Sequence, residues 1–599
     1  MSSSAVTHGQ RSRWLTPDLP EGEIATLARR CGLELPATRV LWNRGLRDQH
    51  AIERFLNPRL TDMYDPFLLS GMERAVERIR RAIRDREKVL IYGDYDTDGL
   101  CSVVILRRML EILGVEAGFH VPDRLKEGYG MQPDVVRRAA ASGVKLLISV
   151  DTGIRSVEAV QVANEVGVDV IITDHHLAKT DLPPALAILN PNQPGCPYPN
   201  KNLCGAGVTF KLIQALMYRL EWVPNQIVRY SDSFLMMVAI ATVADVVPLT
   251  GENRVIVKRG LEGLPGARNK GLRALMETAG FVQGEALSAG DVGFRISPRI
   301  NAAGRMRNAR DVVELFLTDD EERARKIAAE LSELNNERRV TEESIVREVI
   351  ESCRERPVGS EDYGLVFSGS GWHRGVVGIV ASRLVEEYHR PVLVLAEDGE
   401  TGLAQGSGRS IDRFHLLEAL ESMAELFVRF GGHKHAVGLT LEAARVAELR
   451  ERFNAYARTR LAPEDLVPMR RVDARMALSE VSTKAVEEVL RLAPFGLGNP
   501  APQFLFSNVP VYEAPVVFKD RHLRLRIGGQ GHNSLFLKAW NFASRIEEIT
   551  PGTLIDALVC FETDTYAASR GYPGWSANLR DFNTAGGACG QPRTGHEPY

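Results

Sequence analysis

Between Lys88 and Pro191, short β-branched runs alternate with amphipathic stretches. The runs are Val89-Leu90-Ile91-Tyr92, Leu146 to Val150, Val168 to Thr173 and Ala185 to Leu189. Leu100 to Leu113, closed by Gly114, and Ser156 to Val166 carry helical periodicity between them. Strands joined through helices must cross over and therefore run parallel, so the segment predicts an α/β domain built on a parallel sheet. Open parallel sheets bind ligands beyond the carboxyl ends of their strands. Three chemically dense clusters stand there in succession: Asp94-Tyr95-Asp96-Thr97-Asp98-Gly99, Val150-Asp151-Thr152-Gly153 and Thr173-Asp174-His175-His176.

Carboxylates at i, i+2 and i+4 repel one another unless cations neutralise them. The spacing of Asp94, Asp96 and Asp98 also opens an EF-hand calcium loop. That reading fails at the twelfth position, where a bidentate Glu is needed and Ile105 stands, and on the strand that precedes the loop. A further acid, Asp245, lies in the apolar helical run Phe234 to Val247 and needs a partner there. Oxygen donors with one or two imidazoles suit Mn²⁺ or Mg²⁺ rather than a thiolate zinc site. So many carboxylates exceed the need of one ion, and two ions bridged by a shared carboxylate would activate water for in-line attack on phosphorus.

The rest of the 599 residues divides by pattern. Asp319 to Arg356 is charge-dense, without Gly or Pro, and predicts one long helix of about 55 Å joining domains. A second α/β unit follows, with strands near Leu365-Val366-Phe367 and Pro391 to Leu395 and glycine-rich loops at 402–408 and 431–432. After Pro468, alternating strands between turns predict a small β-barrel. The boundaries drawn are an N-terminal extension 1–40, a catalytic domain 41–318, a connecting helix 319–357, a second α/β domain 358–465, a barrel 466–575 and a tail 576–599. With 74 basic and 77 acidic residues the net charge is −3, so a polyanion would have to be met by a local patch. Seven cysteines without a C-x-x-C pair point to a reducing cytoplasm. The longest apolar stretch, Phe234 to Ala244, is about half a membrane span, so no membrane role is expected.

The G-D-Y-D-T-D-G loop, the V-D-T-G loop, the D-H-H triplet and the V-A-D-V-V-P-L segment resemble the four motifs of the DHH phosphoesterase superfamily. Within it the chain is similar, from about Trp42 to Phe561, to the RecJ family of bacterial single-strand-specific 5′→3′ DNA exonucleases. The resemblance implies that Asp94 and Asp96 hold one divalent ion, that Asp98, His175 and Asp245 hold a second, and that Asp151 bridges the two. It gives His176 a place at the scissile phosphate, as an electrophilic or acid/base helper, and gives Asp174 the orientation of the imidazoles.

Gly431-Gly432-His433-Lys434-His435-Ala436-Val437-Gly438 resembles the second signature of the family, from the DHH-associated domain, and Gly406-Ser407-Gly408-Arg409-Ser410 resembles its companion loop. Glycine lets backbone N–H groups approach an anion, and Ser407 and Arg409 can complete a cradle for a terminal 5′-phosphate. The resemblance extends to Pro122-Asp123-Arg124, to Arg299-Ile300-Asn301-Ala302-Ala303-Gly304-Arg305 and to the loop holding His373. It places Arg124, Arg299, Asn301, Arg305, His373 and His433 against the nucleic acid. From His522 to Ile527 the sequence alternates, so Leu523, Leu525 and Ile527 are expected inside and His522, Arg524 and Arg526 outside. Basic and aromatic residues around them suit an oligonucleotide-binding (OB) fold gripping single-stranded DNA. Single-strand-binding protein, a RecQ-type helicase and a monomeric state are expectations from the family alone. The competing readings are a DHH phosphodiesterase of short oligonucleotides or cyclic dinucleotides, which lacks a barrel, and a non-catalytic replication scaffold, which loses metal ligands.

Overall fold

The computed structural model describes residues 12–123, 127–128, 130–178, 181–529 and 534–584. Arg124 lies outside them. The chain divides into two compact units, one of Glu53–Glu337 with Ala493–Pro500 and the other of the remaining segments.

The first unit is built on β1 (Lys88–Tyr92), β2 (Ala117–His120), β3 (Val144–Val150), β4 (Asp169–Thr173) and β5 (Ala187–Leu189), in the order β2-β1-β3-β4-β5. Every pair is parallel. The edge strand β2 and the helix α2 (Pro133–Ala141) are additions to the sequence reading. Ala117-Gly118-Phe119-His120 is short, part exposed and without a β-branched run, so it joins the sheet by pairing with β1 rather than by its own propensity. The helices α1 (Thr97–Ile112) and α3 (Val157–Glu165) lie where expected.

Two further helices, α4 (Gly205–Arg219) and the second half of α5 (Pro224–Ala244), are apolar on nearly all sides and are buried. Among the described residues α5 is the one helix long and apolar enough to cross a membrane. Here its Leu235, Val238, Ala239 and Ile240 are fully buried in the core of the unit, each large side chain contributing about 1.5–3 kcal/mol. A Cβ on Gly260, in the helix Gly251–Gly263, would sit 2.3 Å from Leu235 O, so only glycine allows that helix its approach to α5. The helix α6 (Ser297–Met306) follows a π-helical turn at Val292–Ile296. The long helix α7 spans Glu321–Glu355, close to the range expected.

The second unit holds a mixed sheet of β6 (Leu365–Ser370), β7 (Val392–Asp398), β8 (Leu403–Arg409), β9 (Phe427–Gly432) and β10 (Ala436–Glu442), ordered β9-β10-β8-β7-β6. Of the expected glycine-rich loops, 403–408 and 431–432 are strand, and Gly402 alone keeps a turn with φ +67°. Gly406 and Gly408 face the neighbouring strand so closely that a Cβ would lie 2.1 Å from Val394 O and 2.5 Å from Leu393 Cδ2. They serve close packing inside β8, not a turn.

The longer strands of the seven-stranded barrel sheet are β11 (Gln503–Pro510), β12 (Val516–Phe518), β13 (His522–Gly528), β14 (Ser534–Ala539), β15 (Leu554–Thr563) and β16 (Trp575–Thr584). A bridge between Val511 and Ile527 links the end of β11 to β13. Two boundaries move. Residues 576–584, expected as tail, belong to β16 and pair along β15. The N-terminal segment is not a separate extension, because Arg13–Leu15 pairs in parallel with Met469–Arg471. Trp14 Nε1 donates to Asp581 Oδ2 at 3.0 Å, and Ser12 Oγ donates to the same oxygen.

Candidate metal centre

The acidic loop after β1 is also the start of α1. Asp96 is the N-cap, its Oδ1 accepting the amides of Asp98 (3.0 Å) and Gly99 (3.1 Å), and Asp94 Oδ1 accepts the Tyr95 amide at 2.8 Å. A Cβ on Gly99 would meet Asp94 backbone and Cβ at 2.7 Å, so the closing glycine of the motif lets the loop fold onto itself.

Asp98 is held from elsewhere. The first amides of α4 point at it, Gly205 N to Oδ2 at 2.6 Å and Ala206 N to Oδ1 at 2.8 Å. The positive end of a fifteen-residue helix thus partly balances the acids. A Cβ on Gly205 would stand 2.5 Å from the Asp151 Cβ. The sequence reading missed this pair; the signal for it was Gly205-Ala206-Gly207 opening a helix.

Asp151 follows β3 with φ +59°, a left-handed conformation that Asp adopts more readily than most residues. Asp174 follows β4 and organises the triplet. Its Oδ1 accepts the His175 amide (2.7 Å), the His176 amide (3.1 Å) and His176 Nδ1 (2.7 Å), and its Oδ2 accepts the Ile154 amide (2.9 Å). Asp245 is the C-cap residue of α5, and Val246 beside it has φ +55°, which is strained for a β-branched residue.

These side chains converge. His175 Nε2 lies 3.2 Å from Asp151 Oδ1, 3.7 Å from Asp245 Oδ2 and 3.8 Å from Asp98 Oδ2. Ligand atoms within 4.8 Å of one another form the sets Asp94/Asp96/Asp151, Asp98/His175/Asp245 and Asp151/His175/His176. Asp151 Oδ1 and Asp245 Oδ2 are buried and accept no hydrogen bond. Buried orphan oxygens among like charges are costly, and a divalent cation is the partner that this oxygen-and-imidazole donor set fits.

The electrostatics say the same. Burial, then the charge of Asp96, pushes Asp94 up to about 8. Burial and the charges of Asp98 and Asp96 push Asp245 up to about 9. Asp151 is raised well above the carboxylate range by burial and then by Asp98, Asp96, Asp94 and Asp245. Burial lowers His175 and keeps its imidazole neutral, as a metal ligand must be. For His176 burial acts to lower the value, but the hydrogen bond and charge of Asp174 raise it overall.

A pH dependence follows. Acids with raised pKa hold protons in the folded state that the unfolded chain releases above about 4. Their contribution to stability is therefore greatest at low pH and is lost as pH rises toward 8–9. Cations that replace those protons act oppositely. The increase in Tm caused by saturating Mn²⁺ over EDTA will grow steadily between pH 5.5 and 9, measured by differential scanning fluorimetry. An increment flat in pH would separate these acids from the metal.

The DHH family N-terminal domain matches residues 88–242, the DHHA1 domain residues 361–459 and the RecJ OB domain residues 472–572. The single-stranded-DNA-specific exonuclease RecJ of Bacillus subtilis (strain 168) is 38% identical over 549 residues, which is 92% of this chain and 68% of that one. RecJ of Escherichia coli (strain K12) is 34% identical over 566 residues, 92% and 91% of the two chains. The chain belongs to the RecJ family. The crystal structure of RecJ from Thermus thermophilus with Mn²⁺ superposes with a TM-score of 0.81 at 30% identity, covering 98% of this chain and 81% of that one. The Mg²⁺ complex from the same organism gives 0.74 at 29%, covering 95% and 78%. The Thermus thermophilus protein is thus seen with both ions, and the clusters here could hold a metal ion of that kind.

Outside the acidic cluster, the residues expected on nucleic acid fall into distinct settings. Ser407 and Arg409 lie on β8, and a Cβ on Gly378 would be 3.4 Å from Ser407 Oγ and from Arg409 Nη2. The first turn of α8 (Val377–Tyr388) therefore faces both side chains. His373 is half-buried, its Nδ1 accepting the Gly375 amide, and His433 is exposed. Arg299 on α6 donates to the carbonyls of Arg295 and Thr278, and Asn301 accepts from Thr97. Arg305, on the same helix, is half-buried.

In the barrel Arg524 is exposed, and Arg526 stacks between Tyr512 (4.8 Å) and Phe536 (4.9 Å). His522 does not point into solvent. It is buried between Phe518 and Trp540, whose ring centroids lie 5.2 and 4.8 Å from its own, and its Nδ1 accepts the Asn541 amide. Alternation gave the right face, but two large aromatics cover it. Phe536 and Trp540 are the exposed rings beside it.

Proposed function

We propose that this chain is a single-stranded-DNA-specific exonuclease that degrades from the 5′ end, releases mononucleotides and acts in recombination and repair. The observation that carries this reading is the convergence of four aspartates and His175 around Asp151, with two buried oxygens left without hydrogen bonds. Asp94 and Asp96 are assigned to one divalent ion, Asp98, His175 and Asp245 to the other, and Asp151 to both. Bound there, the ions supply water activation and neutralisation of the charge that develops at phosphorus. Asp174 fixes the tautomer and tilt of His176, which stays positively charged further up the pH scale than an ordinary imidazole and meets the scissile phosphate as electrophile or proton donor.

Ser407, Arg409 and the first turn of α8 are assigned to the terminal 5′-phosphate, and Arg524, Arg526, Phe536 and Trp540 to the strand. Arg124, Arg299, Arg305, His373 and His433 remain proposed nucleic-acid contacts, Arg299 with its guanidinium partly committed to carbonyls. The barrel favours long strands over cyclic dinucleotides, and the intact donor set favours catalysis over a scaffold role. Work as a monomer in the cytoplasm, beside single-strand-binding protein and a RecQ-type helicase, completes the proposal.

The test uses one oligonucleotide labelled at either end, single-stranded or annealed, with Mn²⁺ or Mg²⁺. Labelled mononucleotide will be the first product from the 5′-labelled single strand, and the 3′-labelled strand will shorten progressively. Internal cuts, or equal rates on duplex, would overturn the reading.

A further inference from the structure

The R-I-N-A-A-G-R segment forms α6, and its two most chemically specific positions turn toward the acidic loop. Asn301 Oδ1 accepts the Thr97 amide at 2.9 Å and the Thr97 hydroxyl at 3.0 Å. Gly304, three residues on and therefore on the same helix face, lies so close that a Cβ would stand 2.5 Å from Tyr95 O. Thr97 is the first residue of α1, and its amide belongs to the orphan donors at a helix N-terminus. Asp96 takes the next two amides through Oδ1 alone. We propose that Asn301 and Gly304 are positioning residues of the metal loop, and that Asn301 does not contact the nucleic acid.

This inference rests on the reading of the acidic loop as a metal site. Once the Thr97 donors are satisfied by Asn301, Asp96 Oδ1 caps only the amides of Asp98 and Gly99, while Asn301 holds the loop from a separate helix; Oδ2 would then be the oxygen left to a cation. Without Asn301 the Thr97 amide and hydroxyl compete for the Asp96 carboxylate, and the cap and the ligand can no longer be the same rotamer. The π-helical turn at Val292–Ile296 contributes, because an extra residue in a helical turn rotates every later side chain about the axis and so decides which face of α6 meets the loop.

The experiment compares wild type, Asn301→Ala, Gly304→Ala and Thr97→Val. Mn²⁺ binding is measured by isothermal titration without DNA, single-strand binding in EDTA by fluorescence anisotropy, and kcat and KM against Mn²⁺ concentration. Asn301→Ala and Gly304→Ala are expected to weaken Mn²⁺ binding about 10- to 100-fold, the range for losing a group that orients a ligand. Single-strand affinity in EDTA and the KM for DNA should be unchanged, and added Mn²⁺ should restore most of kcat. Thr97→Val removes one of the two hydrogen bonds without altering α6 and should move Mn²⁺ affinity the same way by less, which covers the case in which a helix variant fails to fold. Weakened DNA binding in EDTA with normal Mn²⁺ affinity would return Asn301 to the nucleic acid. Normal Mn²⁺ affinity in all three variants would equally overturn the proposal. Failure of wild type to bind Mn²⁺ would instead sink the metal-site reading beneath it.

Discussion

Asp151→Asn will lower turnover by several orders of magnitude and at the same time make the metal-free protein harder to unfold. Both effects come from one carboxylate. Asp151 belongs to two of the three ligand sets and has a buried oxygen without a hydrogen bond, so its loss removes the ligand assigned to both ions. In the absence of cations that same carboxylate is the most crowded acid of the site, raised by burial and by four neighbouring aspartates. An amide of the same shape carries no charge to bury, and it relieves the repulsion on Asp94, Asp98 and Asp245. Expected readouts are a collapse of kcat with little change in single-strand affinity, a higher Tm than wild type in EDTA near pH 8, and a much smaller gain in Tm from Mn²⁺. The reversal of sign between EDTA and Mn²⁺ separates a functional acid from a structural one. A variant with a lower Tm in both conditions would make Asp151 a folding residue, and near-normal kcat would remove it from the centre.

Arg409→Ala should erase discrimination between 5′-phosphorylated and 5′-hydroxyl strands. A pair of ions can cut from either end of a strand, so end polarity needs a separate group that binds the terminus. Arg409 and Ser407 stand on neighbouring outward positions of β8, facing the first turn of a twelve-residue helix whose amides carry partial positive charge. Charge-assisted hydrogen bonds to the added phosphate contribute about 1.5–3 kcal/mol, so wild type should prefer the phosphorylated strand by about ten- to a hundredfold in kcat/KM. Matched substrates at subsaturating concentration measure it. The variant should keep its Mn²⁺ affinity, because Arg409 belongs to none of the ligand sets. Equal discrimination by both proteins would move end recognition elsewhere.

Much of this protein was legible in order and spacing. The strands β1, β3, β4 and β5 carry apolar runs whose period is local, and right-handed crossovers leave one edge of such a sheet for all the segments that follow the strands. The acids and imidazoles are therefore assignable to one crevice from their order alone, and the absence of Gly and Pro from Glu321 to Glu355 is enough for the long helix. What tertiary structure decided were contacts between distant residues. Asp98 is gripped by amides 107 and 108 positions away, and Thr97 is held by a side chain 204 positions away. Neither distance leaves a periodic trace. The glycines of β8 show the same limit, since a turn and a close strand approach both require a missing Cβ and only the neighbouring Val394 and Leu393 tell them apart. His522 obeys its alternation and is nevertheless buried, because exposure depends on what lies over a face. Period 2 assigns the face, and only the packing of Phe518 and Trp540 covers it.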